Sequence, residues 1–205
     1  MFSTKTAVVS NNEGGTYMPA GINENVYLKE VNVKKSPTGL DFLEIVFENT
    51  EGQIASTTEW KNNKGQYTKT DEDLQRADNR QFGRLLQILD CFYTEREDVD
   101  LPTFKAMIDW VKTKLDPMIA IKKPLRLKVI FDKNNYTKVS NNGIFVEPMS
   151  VDKKDSQIKQ FARDNFERTI VADNEKTVDP LAGNSTQETV KSQETEKTGA
   201  DDLPF

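Results

Sequence analysis

The sequence predicts a mainly β fold: a five-stranded Greek-key barrel with a helical insertion between strands three and four, followed by a disordered acidic C-terminal tail. Three observations carry this expectation. Alternating runs separated by turn signals occupy residues 26–60 and return at 125–147. Two apolar stripes at helical spacing lie between them. Beyond residue 171 the chain loses the large apolar side chains that a core needs.

Val26 to Val33 alternates, but its phase shifts between Leu28 and Val31, which fits a β-bulge. Ser36-Pro-Thr-Gly39 is a turn signal. Leu40 to Glu48 reads as a second strand with Leu43, Ile45 and Phe47 on one face. Asn49 to Gly52 turns the chain into a third strand, Ile54 to Trp60. Residues 61–80 are polar, with Asn63-Lys64-Gly65 at a loop tip. Phe82, Leu85, Leu86, Leu89 and Phe92 then form one helical stripe.

A second helix is expected from about Pro102 to Leu115, with Phe104, Met107, Ile108, Val111 and Leu115 on one face. Pro102 suits its first turn, and Asp116-Pro117 is expected to end it. Strands resume at Leu125 to Phe131, turn at Asp132 to Asn135, and continue at Tyr136 to Ser140 and Gly143 to Glu147. Residues 151–171 are read as a last helix, with Ile158, Phe161 and Ala162 on one side. This order suits a barrel of the oligonucleotide/oligosaccharide-binding (OB) type. The alternative is another small antiparallel α+β fold with a helical insertion.

Composition narrows the chemistry. The 205 residues are 36% apolar and 30% charged, against about 45–50% and 25% in ordinary globular chains. There is no histidine. That excludes a Ser-His-Asp triad, a Cys-His nucleophile and His-ligated metal. The one cysteine, Cys91, has no disulfide partner within the chain and lies beside the apolar stripe as a core residue. A reducing compartment, the cytoplasm, is therefore expected. The longest apolar run, Met118 to Ile121, is far short of a membrane span, and no signal-peptide core is visible. There is no phosphate-cradling G-x-x-x-x-G-K and no metal-ligand cluster, so the expectation is a binding protein, not an enzyme, with no cofactor. Asp71-Glu72-Asp73 and Glu95, Glu97, Asp98 and Asp100 fit solvated turns better than a nuclease's Mg²⁺ site.

Residues 172–200 contain no aromatic residue, and their only large aliphatics are Val178, Leu181 and Val190. They read as a disordered linker. Residues 1–168 hold 25 basic and 25 acidic side chains, whereas residues 169–205 hold 3 and 8. The expected plan is a binding domain over 1–150, the helix over 151–171, the linker over 172–200 and a tip over 201–205.

The tip is Asp201-Asp202-Leu203-Pro204-Phe205. Phe205 beside a carboxylate is a two-part ligand for an apolar pocket with a basic residue. Pro204 presets the backbone, and Asp201 and Asp202 suit a basic rim. These residues resemble the acidic terminal peptide of bacterial single-stranded DNA-binding proteins. The stretches Gly21-Ile-Asn-Glu-Asn-Val-Tyr-Leu28 and Leu43-Glu-Ile-Val-Phe-Glu-Asn49, with Trp60, resemble the first strands of the tailed-phage members of that family. The resemblance implies protection of transient single strands in DNA replication, recombination and repair. It also implies recruitment of replication and recombination proteins through Asp201 to Phe205, with no membrane partner, as a monomer or homo-oligomer in a bacterial or infected host cell. Its rivals are a recombination mediator or annealing protein, and an interaction module that binds no DNA.

Single strands are bound by basic grooves with aromatic platforms. Trp60 is the leading platform, running into Lys61, Lys64, Tyr67 and Lys69. Tyr27, Lys29 and Lys34 lie off the apolar phase of the first strand. Arg126 and Lys128 alternate with Leu125, Leu127 and Val129, so they are expected to leave the core together. Lys133, Tyr136 and Lys138 follow on the next hairpin. Arg76, Arg80 and Arg84 form a helical ridge that either touches phosphates or balances Asp73 and Asp78.

Overall fold

A bulged strand organises the molecule. The structure, a computed structural model, describes residues 17–168; the expected linker and tip lie outside the described residues. The first strand, β1 (Gly21–Lys35), is long enough to serve two neighbours. Its second half pairs antiparallel with β2 (Asp41–Asn49), and its first half pairs antiparallel with β4 (Leu125–Phe131). The register with β2 slips between Leu28 and Glu30, where the sequence phase breaks. A bulge there bends the strand and lets it leave one neighbour for the other.

β2 also pairs with β3 (Ile54–Trp60), and β4 pairs with β5 (Thr137–Val139). The strand order is β3-β2-β1-β4-β5, with β5 returning beside β3, so five antiparallel strands make a nearly closed barrel. A sixth short strand, β6 (Val146–Pro148), continues the line of β5 along β4. Leu28, Val31, Leu43, Ile45, Phe47, Leu125, Leu127 and Val129 fill the core.

Two helices separate β3 from β4. α1 (Asp71–Asp90) starts earlier than its apolar stripe suggested. Thr70 accepts from the Asp73 N–H while Asp73 accepts from the Thr70 N–H, a reciprocal cap that starts the helix within polar sequence. α2 (Phe104–Ile119), capped by Thr103, packs on β1. It runs through Pro117 rather than stopping before it. A proline in the last turn forfeits only one ladder bond, and Met118 and Ile119 still pack against the core. Among the described residues, no helix is long and apolar enough to cross a membrane.

The expected helix over 151–171 is not formed within the described residues. A single 3₁₀ turn, Lys153–Asp155, is followed by irregular chain through residue 168. This strap lies along β4: the Phe131 N–H donates to the Asn165 carbonyl, and the Met149 N–H donates to that of Pro124. Only Ile158 of its expected apolar face is buried, whereas Phe161 is 40% exposed. Too little apolar surface lies on one side to hold a helix against the barrel.

Candidate nucleic-acid interface

The outward parity of β1, β2 and β3 builds one wall. Because Leu43, Ile45 and Phe47 point into the barrel, Phe42 and Glu44 point out. Lys34 of β1 and Trp60 of β3 stand opposite Phe42 on either side, giving a cross-strand row Lys34–Phe42–Trp60. The rings of Phe42 and Trp60 are stacked, with centroids 4.2 Å apart and planes 18° apart. Trp60 nevertheless stays 42% exposed. The Gln81 amide donates to the Trp60 carbonyl at 2.9 Å, fixing the strand end to α1. Beside the indole, a cleft of about 450 Å³ is lined by Leu40, Lys61, Asn63 and Lys105.

The charges on this wall are partly neutralised. Lys29 pairs with Glu48 at 2.6 Å, and Lys34 pairs with Glu44. Lys64 pairs with Asp71 at 2.6 Å. Lys61 and Lys69 are exposed and make no ion pair among the described residues. Tyr67 is 90% exposed next to the short bridge Gly65–Thr68, and Tyr27 is half-buried.

β5, the strand that follows the β4–β5 hairpin, contacts β3. Asp132 accepts from the Asn134 and Tyr136 N–H groups at 2.8 and 2.9 Å and shapes this turn. Lys133, Tyr136 and Lys138 are all exposed on it. The structure thus gathers Lys34, Trp60 and Lys61 at one corner, with the hairpin trio exposed on a separate turn.

No family model matches the chain, and no curated protein matches it.

Arg126 and Lys128 do not reach solution, contrary to the alternation of β4. Both leave the barrel interior as expected, but the strap covers them. Lys128 is fully buried. Its Nζ donates to Asp164 at 2.8 Å and to the carbonyls of Asn142 and Lys159 at 2.8 and 2.9 Å. Arg126 pairs with buried Glu147 and lies 3.3 Å from Glu24. A buried cation needs such partners: Lys128 fastens the strap directly, and Arg126 holds Glu147, which itself accepts from the Gln157 N–H of the strap at 3.1 Å.

The carboxylates that hold them are tuned accordingly. Burial pushes Asp164 up, but hydrogen bonds from Lys128, Asn142 and the Phe161 N–H outweigh it and leave its carboxyl below the ordinary range. Glu147 is lowered in the same way: burial opposes, and bonds from Ser156, Arg126 and Gln157 prevail. Burial also drives the Cys91 thiol up to about 12, and its Sγ donates to the Gln87 carbonyl, in keeping with a core residue.

The arginine ridge divides. Arg76 balances Asp73 at 2.5 Å. Arg84 clasps buried Glu59 through Nε and a terminal nitrogen at 3.0 and 2.7 Å. Arg80 makes no ion pair among the described residues. Sequence reasoning missed Phe42, although its parity, opposite to that of Leu43, marked it as an outward aromatic.

Proposed function

We propose that the chain binds single-stranded DNA with little sequence preference across the outer wall of β1–β3, and that the barrel is an OB-fold. The Phe42–Trp60 stack carries this reading. An exposed indole backed by a second ring offers a flat, rigid face to a base, and every base has such a face. Lys61 beside the indole and the exposed lysines of the Lys133–Lys138 hairpin supply cations for the phosphates. The strand order and the helices between β3 and β4 support the OB reading, since that fold uses its strand 2–3 face and neighbouring loops for oligonucleotides. In this proposal the chain is a coating protein of cytoplasmic DNA replication, recombination and repair, not an enzyme, and residues 201–205 recruit its partners.

An electrophoretic shift with oligo-dT, the matching duplex and the matching RNA tests the reading, run for the full chain and for Trp60→Ala. Retardation of oligo-dT, reduced in Trp60→Ala, is expected. No retardation of any single strand refutes it, and faster pairing of complementary strands favours an annealing protein instead.

A further inference from the structure

A second cleft, of about 950 Å³, lies between α1 and the strap and shares no lining residue with the one beside Trp60. Arg80 and Arg84 enter it from α1, and Lys154, Lys159 and Arg163 enter it from the strap, against one carboxylate, Asp155. Arg84 is committed to Glu59, and Lys154 stands 3.8 Å from Asp152. Arg80, Lys159 and Arg163 have no ion-pair partner among the described residues and are exposed. Three unpaired cations against the single carboxylate of Asp155 leave a local positive potential although the chain from 1 to 168 is neutral.

Phe161 lines the same cleft. Three contacts hold it in place. The Lys128 ammonium lies 4.7 Å from its ring centroid, and its N–H donates to Asp164 at 2.9 Å. Its ring also stands against Gly143, at φ +60°, where a Cβ would come within 2.5 Å of a ring carbon. Hydrophobic burial alone does not explain the placement, because the residue remains 40% exposed. A fixed, half-exposed ring among unpaired cations is the composition of a base-stacking site.

We propose that this cleft takes an unpaired nucleotide of a single strand, the base against Phe161 and its neighbouring phosphates on Arg80, Lys159 and Arg163. The inference rests on the single-strand binding proposed above and adds a second contact region to it. An acidic peptide without an aromatic side chain would satisfy the cations but leave the ring unused, whereas every nucleotide brings both a phosphate and a stacking face.

The test uses the full chain with oligo-dT carrying 5-iodouracil, irradiated and mapped by mass spectrometry, beside salt titrations of affinity for an oligonucleotide longer than the roughly 4–16 nucleotides one such barrel covers. A cross-link at Phe161 is expected. Phe161→Leu, which keeps apolar bulk against Gly143, should weaken binding about fivefold or more. Lys159→Glu with Arg163→Glu, both on exposed side chains, should flatten the logarithmic salt slope by about 0.7 for each phosphate no longer engaged. If both variants bind like the parent while Trp60→Ala is impaired, the second site is wrong and the first stands. If the parent binds no single strand, both fail. If poly-glutamate protects the cleft from cross-linking while Phe161→Leu leaves DNA affinity unchanged, the occupant is an acidic peptide and the inference is overturned.

Discussion

Trp60 combines a structural contact with an open face. Its stack on Phe42 is worth about 0.5–1.5 kcal/mol to the fold, whereas a base on its exposed side would be worth about 1–3 kcal/mol to binding. Oligo-dT should therefore quench its fluorescence, and Trp60→Ala should lose about 1–3 kcal/mol of affinity while the chain stays folded. Trp110→Phe is the better host for this measurement, because Trp110 is half-buried edge-on to Phe82 and adds only background. The opposite behaviour is expected at Lys128. Asp164→Asn leaves that ammonium buried without a counter-charge, which costs about 3–5 kcal/mol in such pairs. Asp164 also titrates below its ordinary value of 3.8, so the unfolded chain takes up that proton first. The pair's contribution is complete above that value and is lost as pH falls through the lower folded one. Thermal unfolding from pH 7 downward should show this acid loss in the parent and less of it in Asp164→Asn.

At the scale of elements, α1 depends on its polar start. Thr70→Ala removes an acceptor from the Asp73 N–H and should cost about 1 kcal/mol in urea unfolding. Gly143→Ala should cost about 1–2 kcal/mol for its left-handed backbone and push Phe161 off its seat. Strands and turns were legible because their signals are local: alternation, Pro-Thr-Gly and the bulge phase at Leu28 all lie within a few residues. The apolar stripe of α1 was legible for the same reason, but its first half was not, since a capping box works without apolar residues. Arg126 and Lys128 misled because alternation reports only that a side chain leaves the core. What covers it is set by Glu147 and Asp164, the latter 36 positions away from Lys128, and no spacing rule links them. Half the candidate site was readable on this basis. Trp60, Lys61 and the β4–β5 hairpin, read at a strand end and in turns, are exposed, whereas Lys29, Lys34 and Lys64 met carboxylates from neighbouring elements.

Charge decides how the whole molecule should respond to salt. Residues 1–168 balance to zero, so any attraction for a polyanion comes from a few local cations and not from a general field. Binding should then show a modest logarithmic salt slope, about −0.7 for each phosphate engaged on a single strand. Lys61→Glu should lower both affinity and slope. Arg126→Glu, by contrast, sets a carboxylate against Glu147 and Glu24 and should act through unfolding. Residues 169–205 carry 3 basic and 8 acidic side chains and are joined covalently to the same domain. Tethering gives them a high effective concentration at any basic patch within reach. Deleting residues 201–205 removes two of those carboxylates together with Phe205. DNA affinity should stay equal or rise slightly at low salt, and the difference should vanish as salt shortens the Debye length to about 10 Å or less. If residues 201–205 recruit partners as proposed, capture of replication or recombination proteins should be lost in the same deletion, and nearly so in Phe205→Ala, because Phe205 is the only aromatic residue after Phe166. Loss of DNA binding in the deletion would place the tip inside the binding site and end the division between a strand-binding domain and a partner-binding terminus.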